Sequence, residues 1–176
     1  MSASRDEMID LMLAEREIRN IAHTCSHYVD RGNIPALREL FHPDAIAEYG
    51  FNKSKTVDEF LEHFTIQRPQ LSGVQHHVTT VAIKVDGDYA EAENYAIAHC
   101  NIEEDDGLKT FVIGGRYLDK YERRDGVWKI SHRLGLEDWS VKVPAPPKRS
   151  NELVGQIPIG GIGEADPGYS FFRILK

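Results

Sequence analysis

The segment "SGVQHHVTTVAIKVDGDYAEAENYAIAHC" (residues 72–100) decides how this chain folds. It holds two runs of period two on either side of Asp86-Gly87-Asp88, a turn suited to a β-hairpin. In an extended strand alternate side chains share a face. Ala90, Ala92, Asn94, Ala96, Ala98 and Cys100 therefore point one way, and Tyr89, Glu91, Glu93, Tyr95, Ile97 and His99 the other. A face of methyl groups leaves the space above it unfilled. Either helices approach such a strand unusually closely, or a hollow remains for a ligand. His76 and His77 head the first strand, and alternation sends only one of them to the alanine side.

Downstream, "EEDDG" and "RRDG" join two further strands, so the meander runs His76–Val85, Tyr89–Ile102, Leu108–Arg123 and Val127–Trp139. Upstream the period changes to that of helices. Ser4 and Glu7 form a capping box, Ile18, Ile21, Ala22, Cys25 and Val29 form an apolar stripe, and Gly32 supplies the stop. Asn33 caps a short second helix with Pro35 in its first turn and Leu37, Leu40 and Phe41 on its apolar face. "HPDAIAEYG" gives a short strand ending at Tyr49. Thr56 and Glu59 then open a third helix, whose Val57, Phe60, Leu61 and Phe64 share one face. Helices segregated from a meander mean α+β: a curved antiparallel sheet of about four to six strands, covered on one face by three N-terminal helices.

Residues 1–143 make up this domain, and residues 144–176 form an arm of different texture. The arm is rich in Pro and Gly yet ends in Tyr169, Phe171, Phe172, Ile174 and Leu175, which suits an extended segment whose aromatic end docks on its own subunit or a neighbour. "IPIGGIGEADPG" within it follows no strand and opens no helix, so it does not read as a phosphate cradle.

A net charge of −7 disfavours nucleic acid and anionic membranes as partners. No apolar run reaches the length of a membrane span, and "MSASRDEMID" lacks the basic flank and apolar core of a signal peptide, so the cytoplasm is the expected compartment. Cys25 and Cys100 stand outside any CxxC spacing and read as small buried side chains. His23 and His27 lie i, i+4 on a helix, a spacing that can clip a metal, but no glutamate intervenes and no third ligand is evident. The reading calls for no metal and no cofactor. No serine occupies a nucleophile elbow, and Trp128 and Trp139 read as packing residues of the last strand.

Asp30 is conspicuous at the end of the first helix, where a carboxylate opposes the macrodipole by a few tenths of a kcal/mol or more. It is either solvated in the turn or matched by a partner. A histidine opposite would be such a partner, its tautomer fixed by the carboxylate.

"HYVDRGNIPALRELFHPDA" (27–45), "QHHVTTVAIKVDGDYAEAENY" (75–95) and "GRYLDKYERRDGVWKISHR" (115–133) together resemble the SnoaL-like group of the nuclear-transport-factor-2-like superfamily. In pattern the chain resembles scytalone dehydratase, bile-acid dehydratases and hexachlorocyclohexane dehydrochlorinase. The resemblance implies a cone-shaped α+β domain and a dyad formed by Asp30 in "YVDRGN" and His76, with His77 taking its place if a bulge shifts the strand. It also implies a catalytic tyrosine just after the first strand, which Tyr49 matches, and a basic residue in "GRY", which is Arg116. Asn94, His77, Arg116, Phe171 and Phe172 are the candidate substrate contacts. Further polar residues of scytalone dehydratase appear here as Gly114, Gly115 and Tyr117. The implied activity is a cofactor-independent lyase, of dehydratase type, on a small hydrophobic cyclic substrate. Relatives leave two alternatives: a ketosteroid-isomerase-like proton transfer, and a non-catalytic binding or assembly subunit. A homo-oligomer, a trimer before a dimer, is the implied assembly.

Overall fold

The computed structural model describes residues 4–50, 52–145 and 158–174. Helix α1 (Arg5–Arg31) opens on the capping box: the Glu7 amide donates to Ser4 Oγ at 3.3 Å and the Ser4 amide to Glu7 Oε2 at 2.6 Å. It stops at Gly32, whose φ of 69° is the left-handed conformation that lets the amide fold back onto the last carbonyls. Helix α2 (Ile34–Arg38) starts where Asn33 Oδ1 accepts from the Ala36 amide at 3.2 Å. It ends earlier than its apolar pattern suggests, because Phe41 already begins strand β1 (Phe41–Tyr49). A turn at Gly50 leads into β2 (Asn52–Thr56), and Thr56 with Glu59 then caps α3 (Val57–Gln67) reciprocally. "NKSKT" has no apolar alternation, so this edge strand left no mark in the sequence.

Strands β3 (Leu71–Asp86), β4 (Tyr89–Glu104), β5 (Gly107–Arg124) and β6 (Val127–Pro144) form the antiparallel meander; β3 and β5 exceed both expected ends, while β4 and β6 start as expected and run on further. The six-stranded order is β2-β1-β6-β5-β4-β3. The sheet is mixed rather than wholly antiparallel, because β1 pairs parallel with β6. Strand β2, helix α3 and strands β3 to β5 lie between β1 and β6 and give the chain the length a parallel pairing requires.

Packing follows the alternation of β4. Ala90, Ala92, Asn94 and Ala96 are all buried, while Tyr89, Glu91, Tyr95 and Ile97 are exposed. Against the alanine face sit Ile18 and Cys25 of α1, Leu37 of α2 and Val57 and Leu61 of α3, joined by Tyr121, Trp128 and Ile130 from the sheet. Each such apolar side chain contributes about 1.5–3 kcal/mol of burial. Trp128 is part of this core, with Arg123 over its ring. Trp139 is half exposed and lies on Gly114, where a Cβ would meet the indole at 2.1 Å. No helix among the described residues is long and apolar enough to cross a membrane.

Residues 158–174 of the arm form a compact knot that includes α4 (Pro167–Phe171). Asp166 organises it, accepting from the Gly161 and Gly168 amides at 2.8 Å each and from Arg31 Nη1 at 2.7 Å. Arg31 also donates to the Gly161 carbonyl at 2.9 Å, so the knot is tied to the last turn of α1.

Candidate active site

Two elements converge on one pair of side chains. The last turn of α1 presents Asp30, and β3 presents His76 opposite Ala98 in the register with β4. Asp30 grips His76 twice: Oδ1 lies 2.6 Å from Nδ1, and Oδ2 accepts from the His76 amide at 2.9 Å. Both side chains are nearly buried, with 13% and 11% of His76 and Asp30 exposed. A carboxylate only accepts, so Nδ1 is the donor and Nε2 is the ring nitrogen left for other partners. The amide and imidazole donors also offset the carboxylate's conflict with the helix dipole. His77, by contrast, lies opposite Ile97 and is exposed on the other face.

His76 lines a cavity of about 430 Å³ between the sheet and α1 and α3. The small side chains of β4, Ala96 and Ala98, form part of one wall, and Phe60 and Phe64 of α3 form another. The alanine strand thus does both things its sequence allowed. Near Ala90 and Ala92 the core closes tightly over it, and near Ala96 and Ala98 a hollow remains.

Tyr49 reaches this hollow from the end of β1. Its ring stacks on Phe60 with centroids 4.4 Å apart and planes 11° from parallel. The ring lies flat on β6 because residue 135 is glycine, where a Cβ would come within 2.8 Å of it. Burial pushes the Tyr49 hydroxyl well above the ordinary phenol range, and Tyr117 up to about 12. Both remain protonated donors under physiological conditions.

The base of the cavity carries a cluster that sequence reasoning did not single out. Arg133 lines the cavity and is 3% exposed, and Asp119 behind it is 2% exposed. Nε of Arg133 donates to Asp119 Oδ1 at 2.6 Å and Nη2 to Oδ2 at 2.7 Å, while Nη1 meets Cys25 Sγ. Asn94 Nδ2 and the Tyr121 hydroxyl complete the ring round Asp119 at 2.6 and 2.9 Å. Burial alone would pull the Arg133 guanidinium down, but the Asp119 charge holds it protonated, well above its usual value. Burial raises the Cys25 thiol, and the Arg133 charge only partly opposes this, so it stays neutral. Of the five N–H groups of Arg133, three are engaged, leaving one on each terminal nitrogen. Tyr117 lies under the guanidinium, 4.9 Å from its carbon.

A bulge hid this arginine from the sequence. Lys120 pairs with His132 while Tyr121 pairs with Ile130, so Ser131 is an extra residue. Alternation counted onward from buried Ile130 turns Arg133 outward, and the bulge reverses the phase and turns it in. His99, which alternation sends to the other face, also reaches the cavity, beside Ala98 and Cys100. Its side chain borders the cavity rather than the outer face, with Nδ1 2.9 Å from the Gly73 carbonyl oxygen.

The remaining candidate substrate contacts scatter. Asn94 is buried beneath the cavity and spends its amide on Asp119 and, at 3.4 Å, the Tyr117 carbonyl. Arg116 skirts the cavity but is held by Glu93 at 2.7 Å and Asp138 at 2.8 Å. Phe171 and Phe172 meet edge to face in the knot, 82% and 44% exposed, and neither lines the cavity. Among the described residues no three His, Cys, Asp or Glu side chains converge as metal ligands.

One family profile, described as a SnoaL-like domain, matches residues 10–134. No protein of curated function matches. Several solved structures share the fold. A scytalone dehydratase candidate from Novosphingobium aromaticivorans superposes with a TM-score of 0.66 at 20% identity, covering 80% of this chain and 97% of its own. A type 3 hexachlorocyclohexane dehydrochlorinase from Novosphingobium barchaimii gives 0.68 at 21% identity, with 79% and 99% covered. A candidate aromatic ring hydroxylase from Novosphingobium aromaticivorans gives 0.63 at 22% identity, with 72% and 91% covered. At such identities the likeness is one of fold, and relatives of that fold carry different chemistries.

Proposed function

This chain belongs to the SnoaL-like domain family of the nuclear-transport-factor-2-like superfamily, and we propose that it is a cofactor-independent lyase that eliminates water or another small leaving group from a hydrophobic cyclic ketone. The observation that carries this reading is the double contact of Asp30 with His76, at 2.6 and 2.9 Å, beside a cavity lined largely by apolar side chains. His76 Nε2 takes a proton from the carbon next to the carbonyl. Asp30 holds the ring in the productive tautomer and stabilises the imidazolium as it forms. Tyr49 and the two disengaged N–H groups of Arg133 receive the developing enolate oxygen. The leaving group then departs from the β-carbon, carrying the proton back from His76.

Magnitudes support the assignment. A placed general base is worth about 10²–10⁴-fold, and a donor to the oxyanion in a dry site about 3 kcal/mol. Those terms suffice for an α-proton that is already acidic. The named scytalone dehydratase and dehydrochlorinase neighbours are consistent with an elimination.

The proton-abstraction step can be tested before the natural substrate is known. 1-Tetralone has an acidic α-carbon and no leaving group. In D₂O the protein should catalyse deuterium uptake at that carbon, read by NMR, and His76→Ala should abolish it. Equal exchange by both proteins removes His76 as the base. Elimination itself is read by mass spectrometry on β-hydroxy cyclic ketones, where the product must be lighter by one water. A product of unchanged mass would instead identify an isomerase.

A further inference from the structure

The charges round the cavity point to the kind of ligand it accepts. Two arginines border it, and neither brings unbalanced positive charge. Arg133 is matched by Asp119, and Arg116 by both Glu93 and Asp138. Glu137 stands at the rim, and Asp30 lies behind His76. Among the described residues, two cations thus face five carboxylates, an excess of three negative charges. Yet the carboxylates nearest the interior do not present themselves to a ligand. Asp119 accepts from Arg133 twice, from Asn94 and from Tyr121, and Asp30 accepts from both donors of His76. What the inner wall offers instead is donors: the free N–H groups of Arg133 and the hydroxyls of Tyr49 and Tyr117.

A surface that offers donors inside a negative field is satisfied by one class of group. An anion meets the donors but is repelled by the surrounding charge. A cation is attracted by the field but finds every inner carboxylate occupied and meets N–H and O–H instead. An uncharged hydrogen-bond acceptor suits both. We propose that Asp119 is a specificity-determining residue that converts Arg133 from a counter-ion into a neutral-site donor, so that the cavity selects uncharged carbonyl compounds over carboxylates of the same shape. The inference deepens the reading of this cavity as a substrate site.

The test is equilibrium binding of three bicyclic probes of similar size, by calorimetry at low salt and about pH 8, where a histidine of ordinary pKa is neutral. The probes are 1-tetralone, 1-naphthoate and the ammonium form of 1-aminotetralin. Tetralone should bind at least about tenfold more tightly than naphthoate, the effect of one unit charge roughly 10 Å away at an effective dielectric of about 20. It should also bind more tightly than aminotetralin. In Asp119→Asn the gap between tetralone and naphthoate should narrow by a similar factor, because naphthoate gains. Glu93→Gln, at a half-exposed position, should move the gap the same way by less, and it keeps the variant arm decisive if Asp119→Asn does not fold. Tetralone binding no more tightly than either charged probe overturns the proposal, as does a gap unchanged in both variants. Failure of the deuterium exchange with this preference intact would remove the lyase chemistry and leave the ligand class standing.

Discussion

Asp30 illustrates how much one side chain can be asked to do. It caps no helix and neutralises no dipole, yet its two oxygens fix both the backbone and the ring of His76. Asp30→Asn keeps the shape and removes the charge that steadies the imidazolium. Deuterium exchange into tetralone should fall by about 10²–10⁴-fold, with little change in thermal midpoint. Asp119 is different in kind. Its carboxylate satisfies four donors in the interior, so Asp119→Ala leaves Arg133 buried and unpaired. Denaturant unfolding should show a loss of about 3–5 kcal/mol. The two aspartates also differ in how the sequence announces them. Asp30 was legible because it breaks a rule, an acid at a helix C-terminus. Arg133 and Asp119 break none, and only the pairing of β5 with β6 brings them face to face.

At the scale of elements, β4 is where composition and architecture meet. Its alanines were readable as a packing surface or as the wall of a hollow, and the strand is both along different halves of its length. Ala98→Leu adds side chain to the hollow rather than to the tight half. Tetralone binding should weaken at least about tenfold while the thermal midpoint holds or rises, since a filled void gains contacts. Strand β2 and the parallel pairing of β1 were not legible, because edge strands need no apolar face and direction leaves no periodic trace. The arm was legible as a separate texture but not in its detail. Its anchor is an ion pair between Arg31 and Asp166 rather than an aromatic plug. Amides of Gly161 and Gly168, with Arg31, hold the Asp166 carboxyl below its usual range. A carboxyl lowered by docking stabilises the docked arm above its free pKa and releases it as pH falls through the docked value. Asp166→Asn should therefore loosen the arm already at neutral pH, seen as faster hydrogen exchange at the Gly161 and Gly168 amides. Unchanged exchange would show that the knot holds without its charge.

For the molecule as a whole, the net charge of −7 keeps copies apart while exposed apolar side chains draw them together. Tyr95, Ile97, Trp139 and Val141 are each more than two-fifths exposed. Covering such a surface is what self-association accomplishes, and a homotrimer is the expected solution state. Light scattering should return three times the 20.0 kDa chain mass, and a monomer mass would refute this. The architecture as a whole was readable because helices and meander occupy separate stretches of chain, and the cavity chemistry was only half readable because one strand changes phase midway. That change has a consequence for comparing descendants of a common ancestor. Ser131 has no opposite number on β5, so a gene that lost this one codon would keep Ile130, His132 and Arg133 on the faces they now occupy. Alignments that forbid gaps inside strands would then set Arg133 against the wrong column. They would report the loss of a basic group that still points into the cavity.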